Sequence, residues 1–499
     1  MKAYLAKIFA ARIQGKLYRD HSRAVLVQEK ILRKLLSSAS QTRFGRDHGF
    51  GKIRNYKDFR ANVPVRDYEG IRDYIEEARS GAYNVLWPGK AIYFSKTSGT
   101  TSGAKYIPIS RASIHNHING ARDALLSYIA ETGKSDFVNG KMIFLQGSPE
   151  LKSENGIKIG RLSGIVAHHV PAYLQANKMP SYGVNCIDDW ESKVEAIAEE
   201  TLKEDMRLIS GIPPWVQMYF EMLCRKSGKS RIADIFPNFS LLVYGGVNFK
   251  PYSRLLEDII GKKVDSIEVY PASEGFIAFQ DSQAEEGMLL NINSGIFYEF
   301  IRAEEILDED PKRISLSEVE LDTNYALILS NNAGLWAYNI GDTVRFTSLS
   351  PYRIVVTGRT KHFTSAFGEH VIAEEVEAAA RRVSEELGIS ISEFHVAPLV
   401  EPNDGLLPRH EWYIEMENNA VRSEELALKL DEFMQHRNPY YQDLRVGNIL
   451  QVLTVKKVKK GGFQAYMKSI GKLGGQNKLP RLSNDRKMAD ALQEYLERE

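Results

Sequence analysis

Short apolar segments that end at glycine or proline alternate with helical segments through the first half of the chain. Residues 141–145, 240–244 and 264–270 are strand candidates, and residues 190–205 have the apolar spacing of an amphipathic helix. Buried strands that alternate with helices are typical of an α/β architecture. The chain has 499 residues, and single hydrophobic cores stop growing at about 250–300 residues. The sequence therefore predicts an α/β protein of at least two domains.

The composition changes after residue 286. Residues 287–357 contain short alternating strands, such as 325–329 and 352–356, and little that predicts a long helix. Gly358 and Arg359 follow the last of these strands, and residues 372–387 have a helical pattern. We expect a large domain over residues 1–358, with β-sheets flanked by helices and a β-rich subdomain, and a small mobile α+β domain over residues 359–499.

Charge and cysteine content exclude several classes of protein. The net charge is +1, which provides no global field for nucleic acid or an acidic membrane. The two cysteines, Cys186 and Cys224, have no zinc-site spacing, and buried thiols in a reducing compartment are the expectation. Lys7 and Arg12 interrupt the apolar start of the chain, which favours an amphipathic surface helix over a targeting segment. We expect a cytoplasmic monomer with no nucleic-acid or membrane partner.

Residues 95–105 form the strongest chemical motif. Serines, threonines and glycines are concentrated between two strand-like segments and end at Lys105. Glycines let backbone N–H groups converge on an anion, and hydroxyls add further donors. The motif is not a Walker A loop, because Tyr-Ile-Pro follows Lys105 and Pro108 disfavours a helix. An anion-binding loop is predicted, with an ordinary polar hairpin turn as the alternative.

Two shorter motifs follow predicted strands. In residues 270–275, Tyr270 can stack on a base and Glu274 can bind Mg²⁺, and ligands of α/β sheets gather at the carboxyl ends of strands. In residues 338–344, Asp342 follows a glycine and can accept two hydrogen bonds from ribose hydroxyls. Either motif alone also fits a turn with a surface carboxylate.

A fourth motif lies near the end of the chain. In residues 472–481, Lys478 lies in a glycine-containing segment. Such a segment can move a lysine into a site and out of it again. The alternative is a solvated basic tail, because four further lysines lie close by in sequence: Lys456, Lys457, Lys459 and Lys460.

The order of these four motifs resembles the superfamily of adenylate-forming enzymes, which includes acyl-CoA synthetases and luciferases. The chain resembles more closely the auxin-responsive (Gretchen Hagen) family of acyl acid–amido synthetases. The resemblance extends over nearly the whole chain and includes residues 42–45, 58–68 and 84–87. It implies an enzyme that uses ATP and Mg²⁺ to convert a carboxylic acid into an acyl-AMP, and then transfers the acyl group to an amine, with an amino acid as the favoured acceptor.

The resemblance also implies a role for each matching residue. Lys478 and Glu274 would be catalytic, Lys478 by contacting the reacting phosphates and Glu274 by holding Mg²⁺. Gly245 and Gly246 would line the adenine and acyl-phosphate region, and Tyr270 would lie beside adenine with Ser273 nearby. Asp342 would bind the ribose, and Arg359 would lie at the hinge within reach of the ribose. The phosphate-binding residues would be Ser98, Gly99, Thr100, Thr101, Ser102 and Lys105.

Two positions depart from the plant members of the family. Asn339 stands where those members usually have arginine, and residues 366–369 do not follow the plant pattern. These departures bear on the second substrate, so coenzyme A as acceptor remains an alternative, as does a catalytically silent nucleotide-binding protein. A nucleic-acid-binding role for the lysine-rich tail is disfavoured by the net charge. For the base that deprotonates the amine, the candidates by residue type alone are His168, His169 and His362.

Overall fold

The structure is a computed structural model. It describes residues 2–97, 105–170, 175–187, 189–246, 249–306, 308, 311–360, 363–364, 371–400, 402, 406–417, 421–446, 450–473, 479–483 and 485–497. The described residues divide into two compact units, one that comprises residues up to 340 together with 344–355, and one that comprises residues 341–343 together with those from 356 onwards.

The helices of the first unit are α1 (Lys2–His21), α2 (Ala24–Ala39), α3 (Arg43–Asp47), α4 (Tyr56–Asn62), α5 (Tyr68–Arg79), α6 (Ile114–Thr132), α7 (Leu162–Ala167), α8 (Tyr182–Asn185), α9 (Trp190–Thr201), α10 (Pro213–Ser227), α11 (Ile232–Ile235) and α12 (Lys250–Ile260). Those of the second are α13 (Ala373–Leu387), α14 (Ser423–Arg437), α15 (Pro439–Val446), α16 (Gly462–Ser469) and α17 (Lys487–Ala491).

The strands are β1 (Tyr93–Thr97), β2 (Lys105–Ile109), β3 (Lys141–Phe144), β4 (Lys152–Glu154), β5 (Ile157–Gly160), β6 (Lys178–Met179), β7 (Met206–Ser210), β8 (Leu241–Gly245), β9 (Asp265–Ala272), β10 (Gly275–Phe279), β11 (Met288–Leu290), β12 (Ile296–Arg302), β13 (Arg313–Ser315), β14 (Asn324–Asn331), β15 (Tyr338–Leu349), β16 (Tyr352–Arg359), β17 (Phe363–Thr364), β18 (Val371–Ile372), β19 (Ile391–Leu399), β20 (Arg409–Met416) and β21 (Thr454–Val458).

The largest sheet has a parallel part and an antiparallel part. Its order is β13-β12-β14-β15-β16-β11-β10-β9-β8-β7-β3-β6, and the neighbours from β9 through β8, β7 and β3 to β6 are parallel. The pairs β9–β10, β10–β11 and β11–β16 are antiparallel. The predicted α/β fold is confirmed, and the predicted β-rich region extends the same sheet.

A second sheet of the first unit has the order β2-β1-β5-β4. Strand β1 pairs with β2 in an antiparallel hairpin and with β5 in parallel. In the second unit, β19-β20-β21 and β17-β18 form separate sheets. The helix predicted over residues 372–387 is α13, and packing of α13 and α14 on β19–β21 gives this unit an apolar core of its own.

Three local predictions are corrected by the structure. The helix predicted over residues 190–205 ends at Thr201, whose hydroxyl donates to the Ile197 carbonyl, and strand β7 begins at Met206. The strand predicted over residues 264–270 continues to Ala272, because it pairs with β10. Cys186 and Cys224 are both free thiols that are only partly buried. In the part of the chain that the structure describes, no helix has the length and apolar character needed to cross a bilayer.

Candidate active site

The β1–β2 hairpin holds the two ends of the predicted anion-binding loop. Thr97, the last residue of β1, pairs directly with Lys105, the first residue of β2. The predicted strand–loop–strand arrangement is therefore confirmed, and Pro108 lies within β2 as an extended residue. The predicted phosphate contacts of Ser98, Gly99, Thr100, Thr101 and Ser102 lie outside the described residues and stay predictions.

Helix α5 contacts the first two residues of strand β2. The Tyr68 hydroxyl accepts a hydrogen bond from the Tyr106 backbone N–H at 3.1 Å, and the Lys105 ammonium lies 5.8 Å from the Tyr68 ring centroid. Helix α5 begins at Tyr68 because the Asp67 side chain caps it by accepting from the Gly70 N–H. Tyr68, which ends the segment 58–68 of the family resemblance, thus contacts the start of β2.

The tip of the β9–β10 hairpin carries the second motif. Ala272 pairs with Gly275, which leaves Ser273 and Glu274 as a two-residue turn. Ser273 is 9% exposed, and Glu274 is partly buried with its backbone carbonyl accepting from Asn331 Nδ2 at 2.7 Å. Since two-residue turns hold their central side chains in a narrow range of directions, the hairpin sets where the Glu274 carboxylate is presented.

A buried contact joins the first motif to the second. Ser95 Oγ lies 2.8 Å from Ser273 Oγ, across 178 positions of sequence, and Ser95 is fully buried. Ser95 lies two residues before the end of β1, directly ahead of the predicted anion-binding loop. The fold therefore brings the strand that leads into the predicted loop into contact with the hairpin of residues 270–275.

The Gly245–Gly246 pair ends β8 beside this hairpin. A Cβ at Gly245 would lie 2.2 Å from the Val269 carbonyl oxygen, so no larger residue fits there. Gly246 has φ of +84°, a conformation that L-residues rarely adopt. Strands β8 and β9 are parallel, so this pair and residues 270–274 lie at the same carboxyl edge, where ligands of α/β sheets bind.

Tyr270 is 8% exposed and belongs to the main apolar core of the first unit. Such burial is typical of an aromatic ring that packs against its neighbours in a core. The predicted position of Tyr270 beside adenine stays a prediction.

The third motif begins in the first unit. The Arg66 N–H donates to the Ala337 carbonyl at 3.1 Å, and the Asn339 N–H donates to the Arg66 carbonyl at 2.8 Å. Tyr338 between them is 1% exposed. The backbone of Arg66 thus anchors the start of β15 through two hydrogen bonds.

Asp342 and Gly341 belong to the second unit. The Gly341 carbonyl accepts from the Thr360 N–H at 2.7 Å, and the Thr357 hydroxyl donates to the Thr343 hydroxyl at 2.8 Å. These contacts involve the residues on either side of Asp342, which is partly buried on β15. Arg359 ends β16 in the same unit, and Lys478 lies outside the described residues.

Two histidines considered as bases have defined partners. His168 Nε2 lies 2.8 Å from the Pro149 carbonyl oxygen. Because a carbonyl oxygen can only accept, this nitrogen must carry the proton and donate it. His169 Nε2 lies 2.9 Å from the Tyr93 hydroxyl. Tyr93 is two residues before Ser95 on β1. Burial, and then the nearby His115, His168 and Lys158, lower the pKa of His169 below its usual value. His362 lies outside the described residues.

Sequence reasoning missed two residues that hold the site. Ser95 was part of the first motif but had no assigned role, and Asn331 was not identified. The Asn331 side chain is 1% exposed and also accepts from the N–H groups of Ala333 and Leu335. Nothing in the local pattern marks an asparagine at a strand end as the support of a turn 57 positions earlier.

The fold is similar to that of adenylate-forming enzymes. A solved structure of 2-hydroxyisobutyryl-CoA ligase in the postadenylation state aligns with a TM-score of 0.57 at 12% identity, over 97% of this chain and 90% of that one. A solved GH3.15 acyl acid amido synthetase aligns with a TM-score of 0.80 at 16% identity, over 95% of this chain and 94% of that one.

Within that class, the chain belongs to the GH3 family. Residues 13–184 match the GH3 family N-terminal domain, residues 289–359 the central domain, and residues 374–487 the C-terminal domain. A jasmonoyl–L-amino acid synthetase (JAR4) of Nicotiana attenuata is 22% identical, over 91% of this chain and 90% of its own length. The family resemblance inferred from the motifs is confirmed.

Proposed function

We propose that this protein is an acyl acid–amido synthetase that uses ATP and Mg²⁺. It adenylates a carboxylic acid and transfers the acyl group to an amine, with an amino acid as the favoured acceptor. The Ser95–Ser273 contact carries the proposal, because it joins two motifs of an adenylating enzyme in a chain that belongs to the GH3 family.

In the first half-reaction, a carboxylate oxygen attacks the α-phosphorus of ATP, the bond to the bridging oxygen breaks, and pyrophosphate leaves. Negative charge builds up on the phosphate oxygens. Backbone N–H groups of residues 98–102, the Lys105 ammonium and Lys478 would stabilise that charge. We assign the ATP and acid site to residues 1–358, with Gly245, Gly246 and Tyr270 around adenine and Asp342 at the ribose. Arg359 would lie at the hinge, within reach of the ribose.

The Glu274 position fits a magnesium ligand. Mg²⁺ is usually held by one or two carboxylates together with substrate phosphates, and Glu274 is a partly buried carboxylate at a turn, beside the Ser95–Ser273 contact. When bound, the ion would neutralise charge on the phosphates.

In the second half-reaction, the neutral amine attacks the acyl carbon, a C–N bond forms, the C–O bond to phosphate breaks, and AMP leaves. We propose that residues 359–499 rotate to withdraw Lys478 and admit the amine. His169 is the described histidine best suited to accept the proton, because its lowered pKa keeps it neutral and its Tyr93 partner lies on the strand that leads into the loop. We assign the reaction to the cytoplasm and to a monomer.

Exchange of labelled pyrophosphate into ATP, with Mg²⁺ and a panel of carboxylic acids, tests the proposal. We expect exchange that depends on particular acids and falls on the order of 10²–10³-fold in Lys478→Ala and in Glu274→Gln. Lys472→Ala, six positions away in the same basic segment, is the matched control for Lys478 and should retain exchange. ATP binding without exchange for any acid would instead support a silent nucleotide-binding protein.

The acceptor is identified from the product. Wild-type enzyme is incubated with the active acid, ATP, and either amino acids or coenzyme A, and the product is then treated with hydroxylamine. An amide resists hydroxylamine, whereas a thioester is cleaved. A cleavable product that forms only with coenzyme A would replace the amido synthetase with an acyl-CoA ligase.

A further inference from the structure

Helix α1 has one face packed on the first unit. Ala10 is fully buried, and Ala6 packs with it against the apolar side chains of α6, including Tyr128. The Tyr18 hydroxyl donates to Asp281 at 2.9 Å, and the buried His21 contacts the Leu290 carbonyl at 3.0 Å. These contacts fix the rotation of the helix and therefore which side chains point away from the protein.

The outer face of α1 begins with four large apolar side chains. Tyr4 is 70% exposed, Leu5 47%, Ile8 53% and Phe9 56%. They occupy two consecutive turns at spacings of one and four residues, so they form one continuous patch. Soluble proteins rarely expose contiguous apolar patches of this kind without a partner.

The same helix is strongly basic. Its exposed cations are Lys2, Lys7, Arg12, Lys16 and Arg19, and its first acidic residue is Asp20. Since the whole chain has a net charge of +1, the remaining residues carry a net negative charge. Arg12 and Lys16 follow Ile8 by four and eight positions, so they extend the side of the helix that carries the apolar patch.

We propose that the outer face of α1, formed by Tyr4, Leu5, Ile8, Phe9, Arg12 and Lys16, binds the surface of an anionic phospholipid bilayer. The helix lies in the plane of the interface, with the apolar side chains among the acyl chains and the cations at the lipid phosphates. The combination of aromatic and aliphatic residues with cations, and no acidic residue before position 20, is the chemistry of that surface.

Other occupants match this face less well. In a symmetric dimer the same face meets itself, so the five cations of one copy would oppose those of the other. A nucleic acid would leave the four apolar side chains without partners, because phosphate contacts are made by polar and charged groups. The expectation of no membrane partner came from the net charge of the whole chain, which hides this local excess.

Vesicle flotation of the full chain tests the proposal. Vesicles of phosphatidylcholine alone are compared with vesicles that also contain phosphatidylglycerol, at low and high salt. We expect binding to the anionic vesicles that weakens with salt. Ile8→Ser with Phe9→Ser should weaken binding at least about tenfold, and Arg12→Gln with Lys16→Gln roughly fivefold for each removed charge. Phe9→Trp should show a blue shift in its emission when vesicles are added.

Matched controls separate this face from general surface hydrophobicity. Tyr83→Ser with Leu321→Ser removes two other exposed apolar side chains (70% and 49% exposed) and should leave flotation unchanged. Circular dichroism confirms that each variant is folded. The proposal is overturned if the wild type does not float with anionic vesicles, if neutral vesicles bind equally, or if the α1 variants bind like the controls. A wild-type dimer that Ile8→Ser with Phe9→Ser converts to a monomer would also overturn it.

Discussion

Buried polar groups at the carboxyl edge of the first unit have different partners from those in the core of the second unit. At the carboxyl edge of the first unit, the motifs meet through two neutral hydroxyls, Ser95 and Ser273. In the second unit, Asp431 is 3% exposed and is held by the Tyr441 hydroxyl at 2.7 Å and by Arg445 Nε at 3.0 Å.

Glu411 of the second unit follows the same rule as Asp431. It is 2% exposed and pairs with Arg486 at 2.7 Å and with Lys456 at 3.2 Å. Buried carboxylates that are already paired within the chain stabilise the native state only as complete networks, because a lone buried charge is costly. Small hydroxyls at a strand edge cost little to bury and can still turn toward a ligand. The paired carboxylates Asp431 and Glu411 stabilise the fold, whereas the hydroxyls of Ser95 and Ser273 connect the segments of the candidate site.

The largest expected effect comes from removing a network member in the second unit. Asp431→Ala removes the buried carboxylate that Arg445 and the Tyr441 hydroxyl contact, so we expect unfolding of this unit to become about 3–5 kcal/mol easier. Glu432→Ala, an exposed neighbour on the same helix, is the control and should change stability by about 0.5 kcal/mol or less. Chemical denaturation followed by tryptophan fluorescence measures both. Equal effects of the two variants would contradict the comparison.

Acid should weaken the first unit before the second. Burial lowers the pKa of His21 to about 4, so its neutral form stabilises the folded state above pH 6.5, and that stability is lost as the pH falls toward 4. The maximum loss is about 3 kcal/mol. In the second unit, Arg486 and Lys456 hold the pKa of Glu411 below 4.5, so its contribution is lost only below that pH.

Scanning calorimetry between pH 7.5 and 4.5 should therefore show the transition of the first unit moving to lower temperature while that of the second stays in place. His21→Gln removes the titrating group, and its transition should shift less with pH than that of the wild type. A second unit that is destabilised first would reverse the assignment.

The smallest expected effect is at the hydroxyl pair. Ser273→Ala removes one hydrogen bond and leaves the buried Ser95 hydroxyl unpaired, which should cost about 1 kcal/mol of stability. The double variant Ser95→Ala with Ser273→Ala should lose less than the sum of the two single variants, because both lose the same contact. Additive losses in a double-mutant cycle would mean that the 2.8 Å contact contributes no coupling.

Much of the local structure was predictable because it depends on neighbouring residues. The strands at residues 141–145 and 240–244 were recognised from apolar runs that end at glycine, and they are β3 and β8 within one residue at each end. The prediction of strands on both sides of residues 98–104 used Pro108, which disfavours a continuing helix for local steric reasons. The family was predictable from the order of the four motifs along the chain, because that order can be read from the sequence without knowledge of the fold.

The sequence by itself determined the α/β class, the motif residues and the helical character of the first residues of the chain. Only the tertiary structure decided that Ser95 meets Ser273, that Asn331 supports the turn at Glu274, and that Tyr4, Leu5, Ile8 and Phe9 point away from the protein. The physical reason is the same in each case. A side-chain pattern shows which residues share a face of a helix or strand, but long-range packing decides which face is covered and which distant residue covers it.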